Sequence, residues 1–205
     1  MRSVSGLLVA GGHSARLGTD KRTVRLGDIT LLDRALSLLT AVSDDVMVSA
    51  RDAAGVPGGV RVAPDSRPDR GPMAGILAGL RLARRARLLV IPVDMPMLTP
   101  SFLHFLVDVD PDAAVTVPRW RAGLEPLTAV YERTCAPFLE DLVERGTTAV
   151  HQFITSTALR VRLVDEPEIY PHGDPARLFL NINTQDDLRR AETLLAGPQP
   201  PIVPR

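Results

Sequence analysis

An apolar run that passes directly into a glycine-rich loop constrains the fold of this chain more than any other feature. Residues Leu8 to Lys21 read LVAGGHSARLGTDK. Gly11 and Gly12 allow a tight turn with exposed backbone N–H groups, and Arg16 and Lys21 add positive charge that one loop can direct at a single anion. The spacing matches neither the Walker A pattern nor the dinucleotide fingerprint Gly-x-Gly-x-x-Gly. The stretch therefore predicts a phosphate-binding loop at the end of a buried strand.

Strand and helix patterns alternate along the chain. Apolar runs rich in leucine and β-branched residues predict strands, and leucines at helical spacing predict helices between them. The predicted strands are 5–10, 45–50, 61–63, 88–93, 113–117 and 127–131, and the predicted helices are 31–39, 73–84, 102–107, 135–145 and 184–196. This order predicts an α/β fold with a mostly parallel central sheet. We assign residues 1–196 to one domain and the proline-rich stretch 197–205 to a flexible tail.

Composition narrows the class of function. The 24 basic and 24 acidic residues cancel, so charge gives no reason to expect nucleic acid or a membrane surface as partner. The lone Cys135 and four scattered histidines predict neither disulfides nor a zinc site. No apolar stretch is long enough for a membrane span, and the N-terminus lacks a signal-peptide pattern, so we expect a cytoplasmic protein.

Ligands of open α/β sheets bind outside the carboxyl ends of the strands, and this rule singles out three more loops. Asp65 and Gly75 lie in a loop that opens a predicted helix, where a flat, rigid turn suits the edge of a base, although the loop taken alone favours an ordinary strand-to-helix turn. Asp94 follows an apolar strand, where a carboxylate can coordinate Mg²⁺ that bridges nucleotide phosphates. Asn181 and Asn183 alternate with an isoleucine and are expected to point to one side of an extended segment.

Trp120 stands between Arg119 and Arg121, and we expect it to pack at the surface. The alternatives are that it stacks on a flat ring or forms part of a mobile flap.

Five motifs in order resemble those of the molybdenum cofactor guanylyltransferases. They are Val9-Ala10-Gly11-Gly12 with Ser14, Arg16, Gly18 and Asp20-Lys21, then Gly71-Pro72-Met73-Ala74-Gly75, Asp94-Met95-Pro96, Pro126-Leu127-Thr128-Ala129-Val130-Tyr131 and Asn181-Ile182-Asn183-Thr184. The resemblance extends over residues 6–188. The resemblance implies a Rossmann-like three-layer sandwich and transfer of GMP from GTP to the terminal phosphate of molybdopterin, with release of pyrophosphate.

The resemblance also implies roles for the residues already singled out. Lys21, Arg16 and Asp94 would be catalytic, with Asp94 as the ligand of the Mg²⁺ cofactor. Asn181 and Asn183 would serve the pterin substrate. Nucleotide binding would fall to Ala10, Gly11, Gly12, Lys21, Asp65, Gly75 and Asp94.

The partners implied are GTP and molybdopterin as substrates, with a molybdoenzyme or another enzyme of cofactor biosynthesis as protein partner. Three alternatives stay open at this point. One is a cytidylyltransferase that acts on the same pterin, and another is a sugar-phosphate nucleotidyltransferase, which the short chain fits less well. The third is a carrier module that binds nucleotide or cofactor without catalysis.

Overall fold

The computed structural model describes residues 3–10, 20–50, 53–64, 71–121 and 123–197. The strands are β1 Ser5–Val9, β2 Arg25–Leu26, β3 Ile29–Thr30, β4 Asp45–Ala50, β5 Arg61–Pro64, β6 Arg87–Pro92, β7 Val115–Trp120, β8 Gly123–Leu124, β9 Ala129–Glu132 and β10 Val161–Val164. The helices are α1 Leu31–Val42, α2 Gly71–Leu82, α3 Pro100–Asp108, α4 Ala136–Glu144, α5 Val150–Ser156, α6 Glu166–Ile169, α7 Pro175–Leu178 and α8 Gln185–Ala196.

The central sheet has the strand order β10-β7-β9-β6-β1-β4-β5, and β8 pairs with the end of β7. Strand β1 lies between β4 and β6 and is parallel to both. Strand β9 is antiparallel to both of its neighbours, β6 and β7, so those two neighbours run in the same direction. The expected α/β fold with a mostly parallel sheet is confirmed, and the carboxyl ends of β1, β4, β5, β6, β7 and β10 share one edge.

Helices cover both faces of the sheet. Because successive strand residues point to opposite faces, neighbouring residues of β1 belong to different cores. Leu8 of β1 belongs to the core beneath α1 and α3, whereas Leu7 and Val9 belong to the core beneath α2, α4 and α5. All three side chains are buried. The predicted three-layer arrangement is therefore present, and its apolar strand β1 is buried on both sides.

Helix α2 approaches the sheet closely at two glycines. A Cβ at Gly75 would lie 2.4 Å from the Oγ of Ser49 on β4, and a Cβ at Gly79 would lie 2.7 Å from a methyl group of Leu7. A Cβ at residue 75 would therefore fit only if the side chain of Ser49 moved. The glycine of the Gly71–Gly75 motif therefore has a packing role.

Threonines define the starts of three helices. Thr30, Thr99 and Thr184 each accept a hydrogen bond from a backbone N–H in the first turn of α1, α3 and α8. Pro100 occupies the first turn of α3, as the sequence predicted. The predicted helices are present with ends shifted by a few residues.

At the opposite edge of the sheet, one buried carboxylate links several elements through hydrogen bonds. Asp45 accepts hydrogen bonds from Ser5 Oγ at 2.6 Å, from Arg61 Nη1 at 2.6 Å and from the backbone N–H of Arg84 at 2.9 Å. Burial alone would raise the pKa of Asp45, but these hydrogen bonds outweigh burial and lower it. The network ties β1, β4, β5 and the segment after α2 together.

Several short elements were not predicted: the β2–β3 hairpin, β8, β10 and helices α5, α6 and α7. Most have two to four residues and are too short to show a periodic pattern. Among the described residues, no helix combines the length and the apolar character needed to cross a membrane.

Candidate active site

Three polar side chains from distant parts of the chain meet at the carboxyl edge of the sheet. The Nζ atom of Lys21 lies 2.7 Å from Oδ2 of Asp94 and 2.6 Å from Oδ1 of Asn183. The side chains of Lys21 and Asp94 are 16% and 20% exposed, so they are shielded but reachable from solvent. Each of these residues was predicted separately from the sequence, and the fold joins them in one cluster.

Lys21 is held in place by the residue before it. Asp20 precedes a short 3₁₀ turn, Lys21–Thr23, and its carboxylate accepts a hydrogen bond from the backbone N–H of Arg22 at 2.9 Å. The guanidinium of Arg22 donates to the same carboxylate at 2.8 Å and lowers the pKa of Asp20. The aspartate of the Asp20-Lys21 pair thus fixes the end of the glycine-rich loop, a role that the sequence analysis did not assign.

The asparagine segment docks directly on the turn after β6. The backbone N–H of Ile182 donates to the carbonyl oxygen of Asp94 at 2.9 Å. Asp187 accepts hydrogen bonds from the backbone N–H groups of Asn183 and Thr184 at 3.0 and 2.8 Å. These contacts use the first turn of α8 to orient Asn183, which leaves its side chain directed at Lys21.

Some of the other predicted site residues are described by the structure, and the rest are not. Ala10 is buried directly after β1, where its N–H donates to the carbonyl oxygen of Ser49 at 3.1 Å. Asn181 is half-buried and has no side-chain hydrogen bond to the described residues. Gly75 is buried in α2 against β4, as described above. Gly11, Gly12, Arg16 and Asp65 lie outside the described residues.

Trp120 packs where β7 ends. Its ring lies 5.9 Å from that of Phe179, and the guanidinium of Arg121 stacks 4.2 Å from its centroid. Arg121 has a positive φ of 53°, and its N–H donates to the carboxylate of Glu166 at 2.8 Å. Trp120 thus packs against Phe179 and Arg121, as the sequence predicted.

A further carboxylate, which the sequence analysis missed, lies near Asp94. Glu125 is half-buried in the turn between β8 and β9. Burial, together with the negative charge of Asp94, raises the pKa of Glu125 to about 7. No periodic pattern marks this residue, since it belongs to a turn, and only the sheet order brings it to the site.

Within the described ranges, no group of three or more His, Cys, Asp or Glu residues is placed to hold a metal ion. Asp94 and Asn183 nevertheless offer two oxygen donors side by side. Their oxygens already converge on a cation, the ammonium group of Lys21, at 2.7 and 2.6 Å. A carboxylate and an amide oxygen are ligand types that hard divalent cations accept, with phosphate and water completing the shell.

Comparison with known proteins places this site in a family. The family model of the MobA-like NTP transferase domain matches residues 6–161. A protein of Chloroflexus aggregans named "Probable molybdenum cofactor guanylyltransferase" is 34% identical, with 94% of this chain and 95% of that protein covered. A "Molybdenum cofactor guanylyltransferase" of Desulfosudis oleivorans is 30% identical, with 95% and 97% covered.

A solved structure shares the fold. The molybdopterin-guanine dinucleotide biosynthesis protein A of Archaeoglobus fulgidus superposes with a TM-score of 0.82 at 24% identity, over 94% of this chain and 99% of that one. These matches agree with the nucleotide-phosphate site that the glycine-rich loop and the Lys21–Asp94–Asn183 cluster indicate. The chain belongs to the MobA-like NTP transferase family and is a nucleotidyltransferase.

Proposed function

We propose that the protein transfers GMP from GTP to the terminal phosphate of molybdopterin and releases pyrophosphate. The observation that carries the proposal is the convergence of Lys21, Asp94 and Asn183 at the carboxyl edge of the sheet. The names of the relatives that this chain matches over most of its length supply the two substrates.

The attacking group needs no base from the protein. The second pKa of a phosphate monoester is about 6, so the terminal phosphate of the pterin is already a dianion for the most part at neutral pH. It attacks the α-phosphorus of GTP, the bond from that phosphorus to the β-phosphate oxygen breaks, and pyrophosphate leaves with the bond electrons. The protein must align two anionic substrates and offset their charge.

Lys21 carries the charge that the described cluster offers to these phosphates. Its ammonium group donates to two oxygens, and among the described residues its third N–H has no acceptor and can serve a phosphate oxygen. Because Asp94 and Asn183 already hold its ammonium group and Asp20 fixes the backbone beside it, little side-chain freedom has to be lost when the nucleotide binds. Arg16 is expected to add a second positive charge from the same loop.

Asp94 and Asn183 are the residues that would hold the expected Mg²⁺. When bound, the ion supplies positive charge that offsets the phosphates of GTP and of the departing pyrophosphate. Asp94 is well placed for this because the hydrogen bond from Ile182 fixes its backbone at the strand end. Asn183 is fixed in the same way by Asp187.

The test is an assay of pyrophosphate release with molybdopterin, Mg²⁺ and each of GTP, CTP and ATP. GTP should support turnover, and the other two nucleotides should not. A preference for CTP would make the protein a cytidylyltransferase of the same pterin. GTP binding without pyrophosphate release would identify a carrier module, and either result would refute the proposal.

A further inference from the structure

The turn from Glu125 to Thr128 is held rigidly beside Asp94. The N–H of Glu125 donates to the carbonyl oxygen of Pro118 at 2.9 Å, and the carbonyl oxygen of Glu125 accepts from the N–H of Thr128 at 3.0 Å. The buried Thr128 hydroxyl contacts Met95 Sδ at 3.2 Å, directly after Asp94. The turn is therefore anchored both to β7 and to the loop that follows β6.

A second anchor comes from the core. The buried Tyr131 donates its hydroxyl hydrogen to the carbonyl oxygen of Pro126 at 2.6 Å. With this contact, the position of the Glu125 backbone is set by four hydrogen bonds within and around a turn of four residues. A side chain on such a turn is presented in a defined place, as a binding residue requires.

The carboxylate of Glu125 has no partner of its own in the described structure. No hydrogen bond or ion pair reaches it from residues 3–10, 20–50, 53–64, 71–121 or 123–197. Half-buried beside the negative charge of Asp94, it is costly to keep ionised without a donor. A ligand that brings N–H donors to this carboxylate would remove that cost.

The sheet order indicates which substrate this ligand is. Strands β9 and β7 lie on one side of β6, whereas β1, β4 and β5 lie on the other. Of the residues expected to bind the nucleotide, Ala10 follows β1 and Gly75 packs against Ser49 of β4, so both lie on the side of β6 away from β9 and Glu125. Because both substrates must meet at the Lys21–Asp94–Asn183 cluster, the second substrate falls on the side of Glu125.

Charge decides which part of that substrate Glu125 can bind. A carboxylate only accepts hydrogen bonds and repels phosphate and thiolate groups. The amino-pyrimidinone ring of a pterin instead carries a ring N–H next to an exocyclic amino group, and two parallel N–H donors match the two oxygens of a carboxylate.

We propose that Glu125 binds the second substrate through the adjacent N–H and amino donors of its pterin ring and so selects a 2-aminopterin. The inference rests on the proposed function, because that function supplies the pterin. It assigns to the turn before β9 a recognition role that complements the phosphate-binding role of the loop after β1.

The first experiment measures KM for molybdopterin, KM for GTP and the Mg²⁺ concentration that gives half-maximal rate. In Glu125→Gln, the amide turns a donor toward the donors of the ring, so KM for molybdopterin should rise by about tenfold or more. KM for GTP and the Mg²⁺ requirement should not change. Glu144→Gln, at an exposed position on α4, is the matched control and should leave all three values unchanged.

The second experiment compares pterin with lumazine as inhibitors of the wild-type enzyme. Lumazine has an oxygen in place of the 2-amino group and so presents an acceptor where pterin has the amino donor next to its ring N–H. Pterin should inhibit the wild-type enzyme more strongly, and Glu125→Gln should lose this preference. The wild-type comparison stands on its own if the variant does not fold.

Each contrary result has a distinct meaning. An unchanged KM for molybdopterin in a folded Glu125→Gln enzyme, or equal inhibition of the wild type by pterin and lumazine, would overturn the inference. A raised Mg²⁺ requirement with an unchanged KM for molybdopterin would do so as well and would make Glu125 a metal ligand. Absence of any transfer to molybdopterin by the wild-type enzyme would instead refute the proposed function.

Discussion

Gly75→Ala tests whether the glycine of the Gly71–Gly75 motif is required by packing or by the nucleotide. The new Cβ would lie 2.4 Å from Oγ and 3.2 Å from Cβ of Ser49, inside the ~3.5–4.0 Å of favourable carbon contacts. Overpacking of this kind costs about 1–3 kcal/mol, while alanine recovers up to about 1 kcal/mol of helix propensity. We therefore expect a net loss of about 1–2 kcal/mol in the free energy of unfolding.

The assay is thermal and denaturant unfolding of four proteins: wild type, each single variant and the double variant Ser49→Ala/Gly75→Ala. The single glycine variant should lose about 2–8 °C in Tm for a chain of this size. In the Ser49→Ala background, where the Oγ is gone, at least half of the loss should disappear, which corresponds to a coupling of about 1 kcal/mol. Gly58→Ala is the control, because its Cβ would meet nothing within 4 Å.

An equal loss of stability in both backgrounds would refute the packing argument, because the penalty would then not come from Ser49. The same four proteins also test the nucleotide. If the Gly75 backbone must approach the base, KM for GTP should stay raised in the double variant even where stability has recovered.

Three further predictions concern residues outside the Lys21–Asp94–Asn183 cluster. Asp45→Ala should cost about 3 kcal/mol of unfolding free energy at neutral pH, because it leaves buried donors unpaired. Since the pKa of Asp45 is lowered on folding, the stability that this network gives the wild type should be present above about pH 4 and should fall as acid protonates the carboxylate. Acid titration of the unfolding free energy of both proteins would show this difference. Asp20→Ala should lower kcat through misplacement of Lys21 while costing only about 1 kcal/mol in unfolding free energy, and an unchanged kcat would contradict the orienting role. Burial raises the pKa of the Cys135 thiol to about 12, so native protein should resist alkylation at pH 8 while unfolded protein reacts, and rapid native labelling would contradict this.

The sequence predicted the order of the major strands and helices because those elements are long enough to show a hydrophobic period. Strand β1 is a continuous apolar run, and Thr99-Pro100 and Thr184 are explicit helix starts. The antiparallel direction of β9 could not be read in this way. Strand direction depends on where the chain re-enters the sheet, and local composition does not encode it.

The candidate site, too, could be predicted from the sequence only in part. Asp94 and Asn183 could be singled out because polar residues follow buried or extended segments. Their contact with Lys21 could not be derived, since it joins residues 73 and 162 positions apart in the chain. Glu125 was missed entirely because both its burial and its proximity to the charge of Asp94 arise only in the folded chain.

The most direct test of the central claim follows the α-phosphate of GTP. With GTP labelled at that phosphate, molybdopterin and Mg²⁺, the wild-type enzyme should place the label on the pterin product, and the product should contain guanine. Lys21→Ala and Asp94→Ala should each lose about 100-fold or more of this rate with an unchanged unfolding temperature. Absence of label from the pterin, or near-wild-type rates in either variant, would contradict the account.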